Sequence, residues 1–107
     1  MATVSGECVP WPTKRELSSL LTGAGFQVRT GPYSLSLGDC ANLQIQGFAV
    51  SVLRPFFGGE ASASELLHEA ALLSAALTAV NVKHRIEVRD DDAVVGYVHH
   101  RWPEPAR

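Results

Sequence analysis

Four histidines (68, 84, 99 and 100), two cysteines (8 and 40), an aspartate triplet at 90–92 and a glycine pair at 58–59 are the groups in this chain whose types could do chemistry. His99 and His100 have the look of a metal pair. Neighbours on a strand point to opposite faces, so a shared ion would need His68, His84 or a carboxylate brought in from elsewhere. Asp90, Asp91 and Asp92 lack the spaced ligands and the glycine of a calcium loop and read as a polar hairpin turn. Gly58 and Gly59 precede a helix start, where backbone amides can hold an anion. No Gly-Lys-Ser/Thr follows them, the cap residues Ser62 and Glu65 already use that terminus, and Glu60 repels phosphate. Serine or cysteine nucleophiles can be written with a distant histidine, but no strand-to-helix elbow motif singles one out. Cys8 and Cys40 have no metal-type spacing and read as free thiols of a reducing compartment. The residues therefore assign no catalytic group, no metal ligand and no cofactor.

Composition narrows the remaining classes. A chain of 107 residues, 46% apolar and 19% charged, is expected to form one α+β domain spanning 1–107, with 1–12 and 103–107 as extended tails. The formal charge of −2 gives no bulk attraction for a nucleic-acid backbone. Basic residues cluster as Lys14 and Arg15, as Lys83, Arg85 and Arg89, and as His99 to Trp102, with Arg54 alone. Glu87 and three aspartates interrupt them, so a small RNA-binding sheet using Tyr97 and Trp102 is an alternative reading. The longest nearly apolar run, 70–80, is too short to cross a bilayer, and the first residues lack a secretory pattern. A cytoplasmic protein without a membrane partner is expected.

The elements that must position these groups follow from periodicity. Thr13 and Glu16 form a capping box, Leu17, Leu20, Leu21 and Ala24 make an apolar stripe, and Gly25 supplies a left-handed stop. Alternation then predicts strands around Phe26 and Val28, around Tyr33, Leu35 and Leu37, and from Leu43 through Ile45. That last strand passes a bulge at Gly47 to Phe48, Val50 and Val52. After a loop at 56–59, Ser62 and Glu65 cap a longer helix, and a final hairpin runs from Arg85 to Trp102 around the aspartates. The order α-β-β-β-α-β-β predicts two helices on one face of a four- to five-stranded antiparallel sheet. The pattern occurs twice, at 13–55 and 62–103. Leu17, Ser18, Leu21 and Thr22 recur at a shift of 56 as Leu73, Ser74, Leu77 and Thr78.

The second helix carries two apolar stripes. Leu66, Ala70, Leu73, Leu77 and Val80 form one, and His68, Leu72, Ala75 and Ala79 form another. A helix apolar nearly all round is covered on both sides, here by the sheet and by either the first helix or another chain. With Phe56, Phe57 and Trp102, the second stripe is the candidate partner-binding surface. The element order resembles type III secretion chaperones, small acidic homodimers that hold an effector segment. Their final helix has no counterpart here, where Trp102 leads into Pro103 and Pro105. The segment from Leu77 through Ile86–Asp91 to Val95–Val98 resembles small orphan accessory proteins of actinobacteria and their phages, which implies binding to a host or phage protein. The expected function is a non-catalytic protein-binding accessory factor acting as a homodimer; the alternatives are the RNA-binding sheet and a small enzyme.

Overall fold

Both helices start and stop by local chemistry. In the computed structural model, which describes residues 1–48 and 55–102, α1 spans Lys14–Gly23 and α2 spans Ala63–Ala79. The Thr13 hydroxyl accepts the Glu16 amide at 3.1 Å while the Glu16 carboxylate accepts the Thr13 amide at 3.2 Å, satisfying two donors left over at the helix start. Ser62 does the same for the Glu65 amide at 3.3 Å, and the Glu65 carboxylate meets the Ser62 hydroxyl. Each helix ends in a left-handed residue, Gly25 at φ +98° and Asn81 at φ +58°, which tolerate that conformation best. These caps stand at the same shift of 56 as the buried pairs Leu17/Leu73 and Leu21/Leu77.

One antiparallel sheet of seven strands carries the fold, in the order β2-β3-β4-β5-β1-β6-β7. The strands are β1 (Ala2–Cys8), β2 (Val28–Thr30), β3 (Ser34–Leu37), β4 (Cys40–Gln46), β5 (Phe56–Ala61), β6 (His84–Asp90) and β7 (Ala93–His100). The α+β class and the antiparallel sheet agree with the sequence; the strand count and order do not. Residues 2–8, expected in a tail, form β1 in the interior of the sheet, paired to β5 on one side and β6 on the other. Residues 56–59, expected as a loop, open β5. The expected continuation through Val50 and Val52 and the tail at 103–107 lie outside the described residues.

The topology explains why both helices share a face. Pairing is antiparallel throughout, so β1 and β2 run parallel to each other, as do β5 and β6, and each helix is the crossover within one such pair. Such crossovers are right-handed as a rule. Because β1 and β5 run in opposite directions and their crossovers move in opposite directions along the sheet, the same hand puts both helices on one side. The core lies there, a single cluster including Leu17 and Leu21 of α1, Leu66, Leu73 and Leu77 of α2, and Val4, Ile45, Phe57 and Ile86 of the sheet. The other face carries Thr3, Ser5, Gln44, Gln46, Arg85, Glu87 and Arg89.

Two contacts fix how α2 lies on the sheet. The register between β3 and β4 breaks so that Leu37 faces Cys40 while Ser36 faces Gln44, leaving 41–43 bulged. The bulge turns two amides toward α2, where the buried Glu69 carboxylate accepts Asn42 N–H at 2.8 Å and Leu43 N–H at 3.0 Å. Asn42 Nδ2 donates to Glu69 and Glu65 at 2.8 and 2.9 Å. On the far side of the helix, Leu67 occupies the space a side chain at Gly96 of β7 would need. The helix is thus pinned against β4 on one flank and β7 on the other.

Candidate functional site

Pinned in this way, α2 turns its second stripe away from the sheet. His68, Leu72, Ala75 and Ala79 are all exposed, Leu72 at 38%. They line a groove of about 610 Å³ together with Ala76, the α1 exit at Ala24, Gly25 and Phe26, and Asp39 of the turn before β4. The α1 exit forms one wall of the groove and leaves the stripe uncovered. The four stripe residues are the part of the sequence-predicted surface that the fold brings together. Ala24, Gly25, Phe26 and Asp39 were not predicted to join them. The left-handed Gly25 is the available clue, since it turns the chain sharply back at the end of α1. Chemically the groove is a shallow apolar trough with one imidazole and one carboxylate at its rim. It can take aliphatic or aromatic side chains of a partner and exchange hydrogen bonds at its edge.

The remaining predicted residues separate. Phe56 and Phe57 are neighbours on β5 and so point to opposite faces. Phe57 is completely buried, with the Trp11 ring 5.1 Å away, and is core rather than contact surface. Phe56 is exposed on the opposite sheet face from the groove and leans over Gly58. Trp102 is half-buried against the cations of Lys83 and Arg85, at 5.3 and 5.6 Å from its ring.

That outer face bears on nucleic-acid binding. Two of its cations are engaged within the chain: Arg85 pairs with Glu7 at 3.6 Å as well as with Trp102, and Arg89 pairs with Glu87 at 3.3 Å. His99 lies tilted against Tyr97 at 5.0 Å. Aromatic and basic groups are present, interleaved with acid.

The histidines and cysteines behave as their positions dictate. His99 lies on the outer face, while His100 points inward, stacks on His84 at 6.2 Å and reaches Asn81 Oδ1 at 2.9 Å. His84 is completely buried. Its Nδ1 lies 2.7 Å from the Val82 carbonyl, which can only accept, so Nδ1 carries the proton and Nε2 accepts the Ser74 hydroxyl at 2.7 Å. This is the geometry of a serine activated by a base, but Ser74 is on the buried side of α2 and faces the core. Burial, together with the neighbouring His100 and His99, holds the His84 imidazole below its ordinary pKa, against the opposing pull of the Val82 carbonyl. Cys8 and Cys40 are free and buried, and burial, reinforced by nearby carboxylates, pushes both thiols up to about 12. The Cys40 thiol donates to the Glu69 carbonyl at 3.7 Å. Among the described residues, no group of three or more His, Cys, Asp or Glu converges as a metal site, and no helix is long and apolar enough to cross a membrane.

Comparison with known proteins adds no relative: no family model matches the chain, and neither a curated protein nor a solved structure is significantly similar to it.

Proposed function

We propose that this chain is a non-catalytic protein-binding module, an accessory factor that works as a homodimer and receives a segment of another protein in the groove between α2 and the α1 exit. The observation that carries this reading is the exposed stripe His68, Leu72, Ala75 and Ala79, held outward over a helix whose other flanks are tied to β4 and β7. An apolar surface that the monomer leaves uncovered is what an interaction surface requires. The groove is of the size that takes a few anchoring side chains. Two unpaired, buried thiols suit a reducing compartment, and we place the protein in the cytoplasm on that ground.

The test is retention of a partner by immobilised protein. Extract of the organism that encodes the chain is passed over the wild type and over Leu72→Glu and Ala75→Glu variants. Both substitutions are on an exposed helix face and are expected to leave the melting temperature within a few degrees of the wild type. A protein retained by the wild type and lost on both variants supports the reading. Equal retention by all three contradicts it. Retention that disappears with added salt or nuclease instead favours the nucleic-acid reading of the outer sheet face.

A further inference from the structure

The two edges of the sheet are unlike. β2 is three residues long, carries Arg29 at its centre and runs into Gly31 and Pro32. Shortness, charge and a nearby proline are the devices that keep an edge from pairing with another chain. β7 is eight residues long, Ala93–His100, and contains no Asp, Glu, Lys, Arg or Pro. Within the strand its protective feature is a bulge, where Gly96 faces Val88 and Val94 faces Arg89, leaving Val95 unmatched; in sequence, Pro103 stands three residues past its end. The run from Gly96 to His100 is regular, and among the described residues it pairs on one side only.

We propose that β7 is the contact between two copies of this chain, pairing antiparallel with the same strand of the second copy across a two-fold axis and joining two sheets into one. This rests on the homodimeric half of the function proposed above and assigns its interface. A strand edge presents a row of amide and carbonyl groups, and an extended backbone is what satisfies them. Charge selects the occupant and its direction. Asp90, Asp91 and Asp92 stand at the start of β7 and Arg101 stands just past its end, with Asp91, Asp92 and Arg101 exposed. Antiparallel pairing of two copies carries the acidic end of each toward the Arg101 end of the other, whereas parallel pairing sets like near like; in a register centred on Val98, Arg101 lies opposite Val95, three residues or about 10 Å from Asp92 of the second copy. Centred on Val98, the regular run sets Gly96 against His100 and Tyr97 against His99 of the second copy.

The helix layer continues the same surface. An axis perpendicular to the sheet keeps both copies of α2 on one face. Leu67, which packs over Gly96, and Ala71 one turn later lie on the β7 flank of α2 and are exposed. In the joined sheet these flanks meet across the axis and add apolar burial to the backbone pairing. The groove lined by Leu72 and Ala75 opens on the other side of α2 and stays free in both copies.

The test is the mass in solution of the full chain and of two charge variants, Arg101→Glu and the double variant Asp91→Lys, Asp92→Lys, by light scattering across a concentration series. Each variant alone brings like charges near one another at both ends of the interface, and its dimer is expected to be about two- to threefold weaker than that of the wild type at low ionic strength. Mixed in equal amounts the two variants are complementary and form a heterodimer of near wild-type strength. Hydrogen exchange supplies a readout that needs no variant: amides of Gly96–His100 become more protected as protein concentration rises. A wild type that is monomeric at tens of micromolar overturns this proposal and the homodimer with it, leaving the groove reading standing. A dimer unaffected by either charge variant, with no concentration-dependent protection of β7, places the interface elsewhere and overturns the proposal alone.

Discussion

At the scale of single residues, burial governs the chemistry of the titratable groups. His84 is neutral in the fold, its Nδ1–H on the Val82 carbonyl and its Nε2 accepting from Ser74. Its pKa in the folded state lies below that of the unfolded chain, about 6.5. Above that pH both states are neutral and stability is full. As pH falls below it, the unfolded chain takes up the proton first, so stability declines until the lowered folded pKa is passed. Thermal melts between pH 7.5 and 5.5 are therefore expected to fall with acid, and His84→Gln, less stable throughout, is expected to fall less steeply. An equal slope in the two proteins contradicts the assignment. The cysteines give a second outcome. With both thiols buried and pushed up to about 12, a disulfide-exchange reagent at pH 8 is expected to label neither in the native protein and both after denaturation. The opposite facing of His99 and His100 was legible in the sequence, because strand alternation alone requires it. The Ser74–His84 contact was not, because it joins a helix to a strand and depends on how α2 is seated.

At the scale of elements, α2 is set by polar contacts as much as by its leucines. Replacing Glu69 with Leu keeps the volume apolar but strands the Asn42 and Leu43 amides that the carboxylate accepts. The expected loss is about 2–4 kcal/mol in denaturant unfolding, following the cost of buried unsatisfied donors. A loss under ~0.5 kcal/mol contradicts the claim that this carboxylate seats the helix. Gly59 carries a related constraint: at φ +153° it lets β5 approach the Asn42 carbonyl, into which a side chain would project. Caps were readable because capping is local, and Thr13, Ser62 and Gly25 stand where the sequence put them. β1 and β5 were missed for a physical reason. The inward positions of β1 are Ala2, Val4, Gly6 and Cys8, small side chains that fit under a close helix layer and give a weak hydrophobic alternation. In β5, Gly59, part of the pair that looks like a loop, is what permits close strand approach.

At the scale of the whole molecule, the fold separates two surfaces on either side of α2. The strip toward β7 carries Leu67 and Ala71 and adjoins the last strand of the described sheet, while the stripe toward α1 carries Leu72 and Ala75 and lines the groove. The asymmetry between one-faced α1 and two-faced α2 was legible from spacing alone. Which stripe faces what was not, because it depends on the Glu69 anchor and on β1 inserting between β5 and β6. Leu21, buried beneath α1, supports the groove wall, and Leu21→Ala is expected to cost about 3 kcal/mol and to weaken partner retention along with stability. The most direct measurement on the binding claim is site-specific photo-crosslinking in the encoding cells, with the reactive group placed at Ala75 in one protein and at Ser5 on the outer sheet face in another. The account predicts an adduct to a different protein from Ala75 and none to that protein from Ser5. The same adduct from Ser5 but not from Ala75 would contradict it.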